Sequence, residues 1–205
     1  MAYNPEIHKR KSIRLKGYDY SQAGLYFITI CCQNRICRFG EIENDEMILN
    51  DAGKMIETEW MNLKNRFPNI ELNEFVVMPN HFHGILEIVG ATLLDTTIPA
   101  ENNLTETGQP QGIAPTTKTV GDMMDAFKSI TTVEYIRGVK NSGWKPFDGK
   151  LWQRNYYEHI IRNEQSYHNI SNYIINNPAK WQEDKFYENV GVSLVDTQTI
   201  NQNII

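Results

Sequence analysis

The sequence lacks any long apolar run, and no stretch approaches the 18 residues of a membrane-crossing helix, so we expect no membrane partner. The basic stretch MAYNPEIHKRKSIRLKGY contains no apolar segment of the secretory type, so we expect no secretion signal. Cysteine is scarce, since Cys31, Cys32 and Cys37 are the only three and do not have the spacing of a zinc site. Reduced thiols are typical of a cytoplasmic protein, and Cys31 and Cys32 are predicted to pack in the interior.

Positive charge is concentrated near the start of the chain, although the net charge over 205 residues is −5. Residues 1–40 carry seven Lys or Arg against two Asp or Glu, whereas residues 41–110 carry three against thirteen. A basic arm binds phosphate whatever the overall charge, and here we expect contacts with the phosphates of a nucleic acid. The arm consists of Lys9, Arg10, Lys11, Arg14 and Lys16. A solvated tail that only keeps the protein soluble would explain the same charges.

Apolar periodicity predicts an alternation of strands and helices. Strands are predicted at 24–33 and in two pieces within 70–90, joined by a tight turn at Pro79-Asn80, and residues 43–51 are predicted to form a short hairpin or a strand edge. Helices are predicted at 51–67, 119–139 and 163–178, and residues 150–161 are predicted to start extended and turn helical. This order indicates an α+β fold of the ferredoxin-like (split β-α-β) type, with an antiparallel sheet.

One domain is expected to span residues 1–186. Residues 91–118 are rich in Thr, Pro, Gly, Asn and Gln and have no period, so they are predicted to form a mobile insertion. Residues 187–205 are polar and are predicted to form a loose C-terminal tail.

The stretch MPNHFHGIL places His81 and His83 two residues apart on a predicted strand. Residues i and i+2 of a strand point to the same face, so both imidazoles should lie side by side, with Phe82 on the opposite face. We expect the histidines on an open face of the sheet, facing solvent, where two neutral nitrogens suit a divalent cation. The residues alone leave open a pair of ordinary surface histidines in a hairpin.

The string VVMPNHFHGIL resembles the His-hydrophobe-His motif of the single-tyrosine transposases, most closely the branch called REP-associated tyrosine transposases. LWQRNYYEHIIRNEQSYHNISNYIINNP resembles the C-terminal block of that branch, and GLYFITI resembles its first strand. The resemblance implies an enzyme that cleaves and rejoins single-stranded or hairpin DNA through a 5′-phosphotyrosine intermediate. It also implies a divalent metal cofactor, Mg²⁺ or Mn²⁺, helices on one face of the sheet, and a C-terminal catalytic helix.

The site residues follow from the same resemblance. Tyr173 and Asn177 stand four apart on the last predicted helix and share a face. The resemblance implies that Tyr173 is the nucleophile and that the metal ligands are His81, His83 and Asn177. Without it, Tyr173 would be a packing tyrosine. Its rivals as nucleophile are Tyr156, Tyr157 and Tyr167, and Tyr167 is expected to pack in the core.

Three further residues are candidates for DNA contacts. Trp152 could stack a base and Arg154 could hold a phosphate, although a buried tryptophan beside a surface arginine would explain both. For His159 we favour a DNA-phosphate or structural role over that of a third metal ligand.

Two other functions stay open. A protein of the same fold could have lost catalysis and only bind DNA hairpins, but the set implied by the resemblance is complete here. An unrelated metal hydrolase would need a carboxylate near the histidines, and Glu87, four residues from His83, is too distant. The sequence does not distinguish a monomer from a homodimer.

Overall fold

The computed structural model describes residues 17–90 and 118–187. The basic arm at residues 9–16, nearly all of the predicted insertion and the predicted tail after residue 187 lie outside these ranges. The strands are β1 Gly24–Cys31, β2 Gly40–Glu43, β3 Glu46–Leu49, β4 Ile70–Val77, β5 His81–Ile88 and β6 Tyr157–Ile161. The helices are α1 Asp51–Met61, α2 Leu63–Arg66, α3 Val120–Ser142 and α4 Glu164–Asn176, with 3-10 turns at Gln33–Arg35 and Trp181–Glu183. Within the described ranges, no helix is both long and apolar enough to cross a membrane.

Four strands form the central sheet in the order β4-β5-β1-β6, and each neighbouring pair is antiparallel. The two strands adjacent in space to β1 are thus distant from it in sequence, and the helices α1 and α3 provide the crossovers. This is the split β-α-β arrangement, so the ferredoxin-like prediction is confirmed. Strands β2 and β3 form a separate hairpin, which is one of the two predicted alternatives for this part of the chain, and it begins at Gly40, three residues before the predicted start.

Residues 157–161 correct one expectation, because they form the edge strand β6 and not a helix. They pair with β1 in a register that places Tyr157 opposite Thr29 and Ile161 opposite Leu25. The pairing with β1 gives their backbone groups hydrogen-bond partners. Periodicity alone does not distinguish a strand from a helix in an apolar stretch as short as this one.

Helices α1 and α3 pack together on one face of the sheet and form the main core. Trp60 of α1 is fully buried and its ring lies 4.6 Å from that of Phe82 on β5. Gly84, also on β5, permits this approach, because a Cβ atom there would lie 2.7 Å from the Trp60 ring. Strand β5, which carries His81 and His83, is therefore packed against α1 through the face opposite to the two histidines.

Helix α4 packs on the opposite face of the sheet. Asn163 begins it by accepting a hydrogen bond from the backbone N–H of Ser166 at 2.8 Å. A small second apolar cluster joins this helix to the sheet. The cluster consists of Phe27, Ile85, Ile161 and Ile174. The two faces of the sheet are thus covered by different helices, and α4 lies on the face that carries His81 and His83.

Candidate active site

His81 and His83 lie on β5, one of the two central strands of the sheet. The register pairs His81 with Cys31 and His83 with Thr29 on β1. Residues opposite each other in an antiparallel pair point to the same face, so both histidines lie on the α4 side while Phe82 packs in the main core. The predicted shared face is therefore present.

The histidines do not face solvent, which corrects the expectation of an open face. His81 is 0% and His83 1% exposed. The Phe186 ring lies 4.7 Å from His81, and the Tyr173 ring lies 5.2 Å from His83. Helix α4 and the segment that follows it cover the pair. The docking of a helix and a loop against a sheet depends on tertiary contacts, which the strand pattern does not contain.

The two imidazoles are fixed at their outer nitrogens and meet at their inner ones. His81 Nδ1 lies 2.8 Å from Asn80 Oδ1, and His83 Nδ1 lies 2.8 Å from Thr29 Oγ1. The two Nε2 atoms are 3.0 Å apart. Partners of this kind set the orientation of the rings and leave the Nε2 atoms facing one another.

Burial keeps both histidines neutral at physiological pH. Desolvation lowers the pKa of His81 to about 4, against a smaller upward effect of the Asp184 charge. Desolvation also lowers the pKa of His83 well below its usual value, and the neighbouring His81 adds to the effect. Neutral imidazole is the form that binds a metal ion.

Tyr173 presents its hydroxyl group to this pair. The oxygen lies 3.1 Å from His83 Nε2 and donates to Asp184 Oδ2 at 3.2 Å. The side chain is 39% exposed, and its ring packs edge-on against Phe27. Desolvation, reinforced by the Asp184 charge, raises the pKa of Tyr173 above its usual value. The hydroxyl group is therefore protonated at neutral pH and needs help to act as a nucleophile.

Asn177 follows α4 directly and is 2% exposed. Its Nδ2 donates to Asp184 Oδ2 at 3.0 Å, the oxygen that also holds Tyr173. Its Oδ1 is buried and has no hydrogen-bond partner among the residues that the structure describes. A buried acceptor without a partner is costly, and a cation is one way to satisfy it.

The donor set fits a small divalent metal ion. One ligand atom each of His81, His83 and Asp184 lies within 4.8 Å of the others. Two ligands at right angles on an ion with bonds of about 2.1 Å stand about 3.0 Å apart, which is the separation of the two Nε2 atoms. The unpaired oxygen of Asn177 adds a fourth polar group. Asp184 supplies the negative charge that the neutral groups lack.

Asp184 and Asn80 were missed in the sequence. Asp184 lies in the loop after the Trp181–Glu183 turn, and it is a carboxylate near the histidines of the kind that the metal-hydrolase alternative requires. The loop has no helical or strand periodicity that would single out Asp184. Asn80 stands next to His81 in the quoted motif, which could have drawn attention to it.

The remaining tyrosine candidates make other contacts. The Tyr167 hydroxyl group donates to Glu74 at 2.8 Å, and its ring packs against the second apolar cluster. Tyr156 packs against the main core. Tyr157 is 46% exposed on β6, where its ring lies 6.4 Å from that of Phe27. The geometry thus places Tyr173, and not these three, against a histidine of the pair.

Trp152 is 3% exposed and donates its indole N–H to Thr131 at 2.9 Å, so no face of its ring is available to a base. The expectation of stacking on Trp152 is therefore wrong, and the alternative of a buried tryptophan describes it. Arg154 and His159 are exposed. His159 lies on the edge strand opposite Phe27, on the site face but outside the group formed by His81, His83 and Asp184.

A cavity of about 360 Å³ opens beside Tyr173. It lies between α4 and residues 180–184, and Asn177 and Asp184 contribute to its wall. Solvent therefore has access to Tyr173, Asn177 and Asp184 through this cavity.

Comparisons with known proteins give a relative in sequence and similar folds among solved structures. An uncharacterized protein of Haemophilus influenzae is 46% identical over 185 residues, which make up 90% of this chain and 97% of the relative. A solved structure described as a REP-associated tyrosine transposase bound to a REP hairpin matches with a TM-score of 0.53 and 20% identity, over 84% of this chain and 77% of that one. No protein-family model matches the chain.

Proposed function

Because this chain belongs to the same family as the Haemophilus influenzae protein and has the fold of a REP-associated tyrosine transposase, we propose that it is a metal-dependent DNA strand transferase. In this proposal it cleaves and rejoins single-stranded DNA next to a hairpin. The contact of the Tyr173 hydroxyl group with His83 Nε2, 3.1 Å away, carries the proposal, since it puts a nucleophile beside a site fit for a cation.

The proposed metal ligands are His81, His83 and Asn177, with Asp184 as the nearby carboxylate. A bound Mg²⁺ or Mn²⁺ would polarise the phosphate and offset the charge that develops on its oxygens. The support for this set is the pair of facing Nε2 atoms and the unpaired Oδ1 of Asn177.

Tyr173 is the proposed nucleophile. In the cleavage step the Tyr173 hydroxyl group gives up its proton towards Asp184, and its Oη forms a bond to phosphorus while the bond from phosphorus to the 3′ oxygen breaks. The leaving 3′ oxygen takes up a proton from Asp184 or from water, which leaves a 5′-phosphotyrosine and a 3′ hydroxyl group. Asp184 fixes the direction of the Tyr173 O–H bond by accepting its hydrogen at 3.2 Å. Rejoining is the reverse step, with a 3′ hydroxyl group attacking the phosphotyrosine.

The proposed substrate is DNA with an unpaired strand beside a hairpin. The similar structure is described as bound to a REP hairpin, and the cavity beside Tyr173 gives an unpaired strand access to the hydroxyl group. Lys185 is exposed and extends over the Phe186 ring at 4.9 Å, so its charge borders the site. The basic arm is proposed to contact the phosphates of the hairpin.

The test is to trap the covalent intermediate on a single-stranded hairpin oligonucleotide with Mn²⁺. The wild type should give a protein–DNA species that survives denaturant, with the DNA mapped to Tyr173 by mass spectrometry. Tyr173→Phe should bind the oligonucleotide and Mn²⁺ normally but give no such species. Tyr157→Phe is the matched control, because Tyr157 is exposed on the same face of the sheet, and it should react as the wild type does.

Two results would overturn the proposal. DNA attached to Tyr156, Tyr157 or Tyr167 would show that the nucleophile is wrong. Tight hairpin binding by the wild type without any adduct or cleavage would instead favour the DNA-binding alternative, in which the same fold has lost catalysis.

A further inference from the structure

Asn80 occupies the turn between β4 and β5 and is 1% exposed. Its Nδ2 donates to the backbone oxygens of Arg35 at 3.0 Å and Phe186 at 2.8 Å, while its Oδ1 lies 2.8 Å from His81 Nδ1. Arg35 and Phe186 stand 45 and 106 positions away in the sequence. One buried amide therefore joins three distant segments of the chain at the histidine pair.

The direction of the Asn80 amide follows from its partners. Backbone carbonyl oxygens only accept hydrogen bonds, so the atom that contacts Arg35 and Phe186 must be the NH₂ group. The atom that contacts His81 is then the amide oxygen, which also only accepts. His81 Nδ1 must therefore carry a hydrogen, and a neutral imidazole with its hydrogen on Nδ1 has a free lone pair on Nε2.

His83 is held less strictly. Its Nδ1 lies 2.8 Å from the hydroxyl group of Thr29, which can either donate or accept. A hydrogen bond between the two Nε2 atoms, 3.0 Å apart, needs one hydrogen. Because the Asn80 contact leaves a lone pair on Nε2 of His81, that hydrogen must lie on Nε2 of His83. Nε2 of His81 is thus ready to bind a cation. His83 can move its hydrogen from Nε2 to Nδ1, because the Thr29 hydroxyl group can either donate to Nδ1 or accept from it.

We propose that Asn80 is a positioning residue whose amide oxygen presets His81 in its metal-binding form. The inference rests on the proposed function only in that His81 binds a metal ion, and it does not require DNA cleavage. Partners of metal-binding histidines commonly set affinity in this way.

The first test is the tautomer of His81 in metal-free protein with ¹⁵N-labelled histidine, of which the chain has five. Long-range ¹H–¹⁵N spectra, with His81→Gln to assign the signals, should show the hydrogen on Nδ1. Asn80→Asp keeps an acceptor and should preserve this form. Asn80→Leu offers no acceptor and should lose it. A hydrogen on Nε2 of His81 in the wild type would overturn the proposal without any variant.

The second test is Mn²⁺ affinity, measured by electron paramagnetic resonance without DNA. Asn80→Leu should bind Mn²⁺ about 10- to 100-fold more weakly than the wild type, the usual effect of removing such a partner. Asn80→Asp should bind at least as tightly as the wild type. Asn65→Leu makes the same change at an exposed position on α2 and is the matched control.

Equal Mn²⁺ affinity of Asn80→Leu and Asn65→Leu would overturn the proposal. So would an Asn80→Asp protein as weak as Asn80→Leu, since the carbonyl contacts and not the acceptor would then matter. Neither measurement uses DNA, so a wild type that shows the predicted tautomer and affinity but forms no adduct would contradict the proposed function alone.

Discussion

Replacing each of two buried asparagines by leucine should have very different effects on stability. Asn80 is 1% and Asn177 2% exposed, so both substitutions are made in the interior. All three hydrogen bonds of Asn80 are satisfied, whereas the Oδ1 of Asn177 has no partner within the described part of the chain. Leucine has the same branched skeleton of side-chain atoms as asparagine but no polar atom, and both variants add the same bulk, so the comparison between them isolates hydrogen bonding.

The expected magnitudes follow from the contacts. Asn80→Leu removes three bonds, each contributing about 0.5–1.5 kcal/mol, so the free energy of unfolding should fall by about 3 kcal/mol and Tm by about 6–12 °C. Asn177→Leu removes one bond to Asp184 but also an unsatisfied acceptor that costs about 1–3 kcal/mol. Its free energy of unfolding should therefore stay within about 1 kcal/mol of the wild type.

The assay is urea and thermal unfolding of metal-free protein in chelator, followed by circular dichroism, with the urea slopes compared to check that unfolding exposes a similar surface. The thermal scans are then repeated with Mn²⁺, which should raise the Tm of the wild type and leave that of Asn177→Leu almost unchanged. If Asn177→Leu destabilises the metal-free protein as much as Asn80→Leu does, the Oδ1 of Asn177 is not an unpaired acceptor, and the argument that a cation satisfies it fails.

Three further predictions concern the site and the arm. Replacing both His81 and His83 by Ala should abolish Mn²⁺-dependent cleavage of hairpin DNA, and wild-type cleavage that continues in chelator would contradict the metal site. Neutralising the five basic residues of the arm should flatten the salt dependence of DNA binding by roughly 0.7 per lost phosphate contact on single strands, and an unchanged slope would exclude the arm. Because burial lowers the histidine pKa values from 6.5, to about 4 for His81, the metal-free folded state binds fewer protons than the unfolded state over that range. Its free energy of unfolding should therefore fall as the pH falls from about 6.5 to about 4, and an equal fall in the double-Ala variant would assign it to other groups.

The sequence predicted those features that depend on a regular pattern. Alternation along β5 places His81 and His83 on one face, and the helical spacing of Tyr173 and Asn177 places both near one carboxylate. Helices α1, α3 and α4 begin within two residues of the predicted positions, because apolar periodicity and capping residues act locally.

The remaining features depend on contacts between distant segments. The burial of the histidines comes from the docking of α4 and Phe186, which no strand pattern encodes. Asp184 lies in an irregular loop, and its position relative to His81 is set by the path of the chain after Pro178. The role of Asn80 needs the backbone oxygens of Arg35 and Phe186, 45 and 106 positions away.

The position of α4 after the last strand also determines the order in which a ribosome delivers the parts of the site. The central sheet needs residues up to Ile161, and by then His81 and His83 have already been synthesised. Tyr173 and Asp184 emerge only afterwards, so a chain growing at about 5–20 residues per second reaches Asp184 some seconds after it can close its sheet. The nascent domain therefore has its histidine pair uncovered and its nucleophile absent. In the proposed reaction, a growing chain that has not yet reached Tyr173 and Asp184 cannot cut DNA.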